Sequence, residues 1–173
     1  MICTTDLRSS LQELAASSQV RPSLIVVVEG AHDLEFLLHI SRDLHAADAS
    51  VPDLGHLADR GELLLLPVGG SPLALWSSRL APLGLPEIHI YDREAEPEAQ
   101  LRRRLARQIN ARPGCFATLA TKRALENYLH PRAIADAGGP EISVTDDDCV
   151  SEVIAKRQFE TRVGCARWAG LSR

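Results

Sequence analysis

The chain has 173 residues, 45% of them apolar, and a formal net charge of -4. That length suits one ordinary domain with a real core and is short for two, and the composition has neither the low hydrophobicity of a disordered chain nor an overall basic excess. Any contact with nucleic acid must therefore be local, and with aromatic residues at only 4% it would run through the backbone or a metal rather than through a platform of stacked bases.

The first element is Leu24-Ile25-Val26-Val27-Val28, branched apolar residues in succession, which suit a strand covered on both faces as in a parallel sheet. It ends in Glu29-Gly30, with Asp33 three residues further on. Glu29 thus falls at a strand's carboxyl end, where open α/β sheets place their ligands, and Gly30 permits a sharp turn or a close approach. Leu34, Leu37, Leu38, Ser41 and Leu44 then recur at helical spacing and predict an amphipathic helix from His32 to about Ala47. Ala46 to Gly61 is polar, contains Pro52 and Gly55, and reads as a loop.

Glu62 to Pro67 is a short apolar run, predicting a second strand. Gly69-Gly70-Ser71-Pro72 reads as a turn into a helix, with Ser71 as N-cap and Pro72 at the first helical position; it lacks the lysine and spacing of a phosphate cradle. Glu87 to Tyr91 alternates and is β-branched, a third strand, and runs directly into Asp92-Arg93-Glu94. His89, inside that strand, reads as a packed core residue. Pro97 opens the next helix, whose stripe is Leu101, Leu105 and Ile109, leaving Arg102, Arg103, Arg104 and Arg107 on a solvated face or a phosphate-backbone track. Cys115 to Ala120 completes a four-strand alternation. This order predicts an α/β fold with a mostly parallel four-stranded sheet and helices on both faces.

Thr121 to Leu129 predicts a short helix that stops before Pro131. Asp136 to Glu152 carries six acids and no Lys or Arg, whereas Lys156 to Arg173 carries five bases against the single acid Glu160. Residues 132–173 are expected to form a helical C-terminal extension, packed on or trailing from a domain over 22–131 and ending without a capping signal. The four cysteines, Cys3, Cys115, Cys149 and Cys165, lie at least 16 positions apart and form no CxxC pair, so they read as reduced thiols. With no run long enough to span a membrane and no signal-peptide pattern at the first residues, a cytoplasmic location is expected.

If the first and third strands are neighbours, Glu29, Asp33, Asp92 and Glu94 meet at one end of the sheet. Four carboxylates in a small space repel one another unless cations are present. Mg²⁺ is the natural counter-ion, because it takes oxygen ligands from a few carboxylates together with phosphate and water; the six histidines show no zinc-like spacing. Each piece alone has a plainer reading: Glu29-Gly30 as a turn, Asp33 as a first-turn helix acid, Asp92-Arg93-Glu94 as a solvated loop, and Glu126 as part of an exposed helix face.

A strand ending in Glu-Gly with an acid four positions after the Glu, then a later strand ending in an Asp-x-Asp-like pair, resembles the TOPRIM domain of topoisomerases, bacterial primases and several nucleases. Lys122-Arg123-Ala124-Leu125-Glu126-Asn127-Tyr128-Leu129 is similar to the Glu-Asn-Tyr-Leu segment of overcoming-lysogenization-defect (OLD) nucleases and related phage-defence proteins. The resemblance covers about residues 22–131. It implies a Rossmann-like TOPRIM domain and a nuclease site using one or two Mg²⁺ or Mn²⁺ ions. Glu29 would ligate metal or handle protons, Asp33, Asp92 and Glu94 would be metal ligands, and Glu126 would complete a second metal site. Lys156 or Lys122 would steady transition-state charge.

Two features depart from the family: Glu94 stands where the pair usually has Asp, and no G-x-x-x-x-G-K-[ST] phosphate loop occurs in these residues, so an ATPase would be a separate partner or the protein works without one. The expected function is metal-dependent nicking or hydrolysis of DNA, more than RNA, in phage or mobile-element defence, by a chain that could form a homodimer. The alternatives are a primase-like nucleotidyltransferase, a phosphatase with Asp92 as nucleophile, and a non-catalytic regulatory module working through a separate ATPase.

Overall fold

The structure, a computed structural model, describes residues 21–70 and 72–163, with residues 162 and 163 by backbone alone. Among the described residues four strands, β1 (Leu24–Val28), β2 (Leu63–Pro67), β3 (Glu87–Tyr91) and β4 (Cys115–Leu119), alternate with six α-helices: α1 (Ala31–Ala47), α2 (Leu54–Asp59), α3 (Leu73–Leu80), α4 (Glu98–Asn110), α5 (Pro131–Asp136) and α6 (Val150–Val163). The sheet is parallel throughout, in the order β2-β1-β3-β4. From β1 the chain moves outward to β2 and then returns to the other side of β1 for β3, so the carboxyl ends of β1 and β3 flank the crevice where such sheets bind ligands. The pairing Val28↔Ile90 sets Glu29 level with the end of β3.

Alternation along the strands divides the apolar residues between two layers. Ile25 and Val27 of β1, Tyr91 of β3 and Ala117 of β4 pack with Leu73 and Leu80 of α3 and Leu105, Ala106 and Ile109 of α4. Helices α1 and α2 lie against β1 and β2. Ile25, Val27, Val28 and Ile109 are fully buried, as expected of strands with helices on both faces.

Three local expectations are corrected. Residues 46–61 are not all loop, because Asp53 accepts a hydrogen bond from the His56 amide (3.1 Å) and caps α2; the N-cap signal was present in the sequence but stood behind Pro52. The arc of α4 that faces the core is Ala99, Arg102, Leu105, Ala106 and Ile109, while Leu101 is 59% exposed. A four-residue stripe drifts by ~40° per step at 3.6 residues per turn, which carries Leu101 off the buried arc and brings Arg102 onto it.

The segment before Pro131 forms only a single 3₁₀ turn, Leu125–Tyr128, because side chains claim its amides. Asn127 Oδ1 accepts from the Ala124 N–H (3.1 Å) and Tyr128 Oη from the Thr121 and Lys122 N–H groups (3.0 and 3.2 Å), a competition that favours turns over helix. The expected N-cap Ser71 lies outside the described residues, as do Cys3, Cys165 and residues 164–173 of the extension. The described part of that extension is tied down rather than loose. Asn127 Nδ2 donates to the Thr145 and Asp148 carbonyls (2.8 and 3.1 Å), the Arg123 N–H donates to the Asp146 carbonyl (2.8 Å), and Val150 is buried. Among the described residues no helix is long and apolar enough to cross a membrane.

Candidate functional site

Glu29 follows the last residue of β1 and is only 8% exposed. Its Oε1 accepts from Arg102 Nε (2.6 Å) and from the Asp92 N–H (3.1 Å), and its Oε2 accepts from Arg102 Nη2 (2.5 Å). This is a bidentate guanidinium–carboxylate pair, and the Asp92 amide pins it to the end of β3. Burial is tolerable because each charge has its partner. The loop after β2 lies directly on the pair: a Cβ at Gly70 would stand 3.2 Å from Glu29 Oε2 and 3.7 Å from Arg102 Nη2, so glycine gives the close approach. Arg102 is thus buried and not on a solvated face, and the bond to Glu29 is the first cause that raises its pKa.

The remaining carboxylates sit on the loops around that pair. Asp33, in the first turn of α1, accepts the Gly30 N–H on Oδ2 (2.7 Å). Burial raises its pKa, against the lowering effect of that bond, and the charge of Glu126 adds to the rise. Asp92, just past β3, accepts the Leu125 N–H on Oδ1 (3.1 Å). Its pKa is pushed up to about 7, first by burial and then by the charges of Asp33, Glu29, Glu126 and Glu94. All five carboxylates therefore lie in one electrostatic neighbourhood at the β1/β3 crevice, with Asp92 at its centre.

Glu94 is held in an unusual conformation. Its φ of 57° is left-handed, a region that costs a non-glycine residue energy and that clusters at functional sites. Its N–H donates to the Arg123 carbonyl (2.9 Å), and its carboxylate stands 3.7 Å from Arg102 Nη2 and 3.9 Å from Arg123 Nε. Glu126 is exposed on the 3₁₀ turn.

As these side chains stand, no group of three or more His, Cys, Asp or Glu among the described residues is placed to hold a metal ion. Glu29 is captured by Arg102, and Glu94 lies between two guanidinium groups. Asp33, Asp92 and Glu126 have no cationic side chain in hydrogen-bonding contact, and their donor set is all oxygen, the chemistry that suits Mg²⁺ or Mn²⁺. Asp92, with four acidic neighbours and a raised pKa, is the residue whose charge most needs a cation.

Neither lysine reaches these carboxylates through a hydrogen bond or ion pair. Lys156 is exposed on α6 and lines a 340 Å³ groove with Arg123, Asp147 and Glu152. Lys122 is spent on structure, donating to the Asn127 carbonyl (2.9 Å), pairing with Asp146 (3.0 Å) and lying over the Tyr128 ring.

Sequence reasoning missed Arg102, although its place on the arc shared by Ala99, Leu105 and Ile109 was a signal. It also missed Asn127 as the hub joining the 3₁₀ turn to residues 145–148, and a buried polar chain along β3. In that chain Arg112 donates to Glu87 through two nitrogens (3.2 and 2.6 Å), His89 Nε2–H donates to Glu87 Oε2 (2.7 Å) and Tyr91 Oη–H donates to His89 Nδ1 (2.7 Å). His89 is fully buried, as the sequence predicts. Burial lowers its pKa and so keeps it neutral, and the carboxylate of Glu87 fixes the proton on Nε2.

Compared with known proteins, the chain matches no protein-family model, no curated protein and no solved structure.

Proposed function

We propose that this chain is a Mg²⁺- or Mn²⁺-dependent phosphodiesterase of the TOPRIM type that cuts DNA. The observation that carries the reading is the crowding of carboxylate charge on Asp92 at the end of β3, its pKa driven up to about 7 by burial and by the charges of Asp33, Glu29, Glu126 and Glu94. Such a cluster is costly without a counter-ion and is relieved by one.

In this reading Asp33, Asp92 and Glu126 would hold the ion, with Glu94 as a further carboxylate ligand. A bound divalent ion would supply Lewis-acid stabilisation of phosphoryl oxygens and a water of lowered pKa. Glu29 acts differently: paired with Arg102 and bonded to the Asp92 amide, it fixes the backbone from which the Asp92 carboxylate projects. Asp33 is fixed in the same way by the Gly30 amide. A separate ATPase is the partner this reading would recruit, and the unbridged Cys115 and Cys149 support a cytoplasmic setting.

A non-catalytic regulatory module is the second reading, and the capture of Glu29 by Arg102 favours it. Incubation with supercoiled, linear and single-stranded DNA in Mg²⁺ or Mn²⁺ separates the two. The phosphodiesterase reading predicts nicking that disappears in EDTA and in Asp92→Asn. Absence of cleavage, or cleavage unchanged in Asp92→Asn, overturns it.

A further inference from the structure

A groove of 640 Å³ runs between the start of α3 and the outer side of α4, within the ~300–1,000 Å³ range of small-ligand clefts. Its walls are aliphatic: Leu73 and Ala74 on α3 face Leu101 and Leu105 on α4. Leu101 is 59% exposed, so the groove keeps apolar surface in contact with water that a ligand could cover. The floor is the Glu29–Arg102 pair, in which the charges offset each other and a planar guanidinium is present, a group that stacks on flat rings.

The two ends of the groove differ. At one end Glu94 and Glu98 border the carboxylate cluster. At the other, Arg104 and Gln108 offer hydrogen-bonding groups. Glu98 and Gln108 are ten residues apart, or ~15 Å along the helix axis.

This combination suits a flat, uncharged ring with hydrogen-bonding edges. It does not suit a phosphate, because Glu29, Glu94 and Glu98 outnumber Arg102 and Arg104. The groove shares Glu29 and Glu94 with the cluster around Asp92, so a nucleotide whose phosphate lies at the cluster can lay its base between α3 and α4. We infer that the α3–α4 groove is a nucleobase subsite, a conclusion that rests on the phosphodiesterase reading. The aliphatic walls sandwich the ring without aromatic partners, and Gln108 and Arg104 meet its edge.

The test uses the whole chain in EDTA, so that binding is read apart from any metal. The probes are 2-aminopurine riboside and a dinucleotide carrying 2-aminopurine, followed by fluorescence. The subsite predicts a saturable change with at least one probe: the riboside alone points to a free nucleoside, and the dinucleotide to a strand. Ala74→Met, a change at an exposed position that fills the groove, should weaken binding about tenfold or more, and Leu101→Asp should weaken it as well, with thermal unfolding confirming that both variants fold. No saturable change with either probe, or equal affinity in folded variants, overturns the subsite. Because no metal is present, that failure leaves the phosphodiesterase reading standing, and intact binding without DNA cleavage does the reverse.

Discussion

Replacing Arg102 by Met tests whether the pair with Glu29 holds the end of the sheet together. Both residues are 8% exposed, and the guanidinium supplies two of the three hydrogen bonds that the Glu29 carboxylate receives, leaving only the Asp92 amide when it is removed. Breaking a buried pair from one side typically costs about 3–5 kcal/mol, because the partner's charge stays buried and uncompensated. For a chain of this size that corresponds to a fall in Tm of roughly 6–20 °C. Urea denaturation of wild type, Arg102→Met, Glu29→Leu and the double variant would measure it, with m-values checking that the transition stays comparable. Removing both charges should recover most of the loss, to within about 1 kcal/mol of wild type. A single-variant cost below about 1 kcal/mol, or a double variant as unstable as the two single losses added together, would refute the buried pair as a structural clamp.

The Asp92 carboxyl titrates near 7 in the fold against 3.8 as a free side chain, so folding takes up a proton between those values. Its contribution to stability is complete below pH 3.8 and is lost as pH rises towards 7; without divalent ions, Asp92→Asn should therefore gain stability relative to wild type as pH is raised, read by denaturation midpoints. Asn127→Ala strands the Ala124 amide and the carbonyls of Thr145 and Asp148, and should cost about 2–4 kcal/mol and raise amide exchange in residues 145–148. At the left-handed position 94, Glu94→Gly should be more stable than Glu94→Ala by about 1 kcal/mol; equal stability would mean that the conformation carries no strain.

Legibility in the sequence followed how strongly each segment declared its environment. The β1 run could be placed because a buried parallel strand is apolar at every position, and β3 because its residues alternate and are β-branched; the acids that end those runs marked the crevice. The 22–131 alternation of strands and helices was readable for the same reason. Arg102 was not, since a charge on an amphipathic helix normally points to water and only its carboxylate partner, 73 positions away, explains its burial. The 3₁₀ turn was obscured by Asn127 and Tyr128, whose side chains take amides that a helix would have used. The left-handed Glu94 donates its N–H to the Arg123 carbonyl, a contact across loops that no local pattern announces.

Mn²⁺ titration by calorimetry at pH 8, with wild type and Asp92→Asn side by side, tests the central claim most directly. The account predicts saturable binding by wild type and at least about tenfold weaker binding by Asp92→Asn. No binding by wild type at millimolar Mn²⁺, or equal affinity in the two proteins, would contradict it.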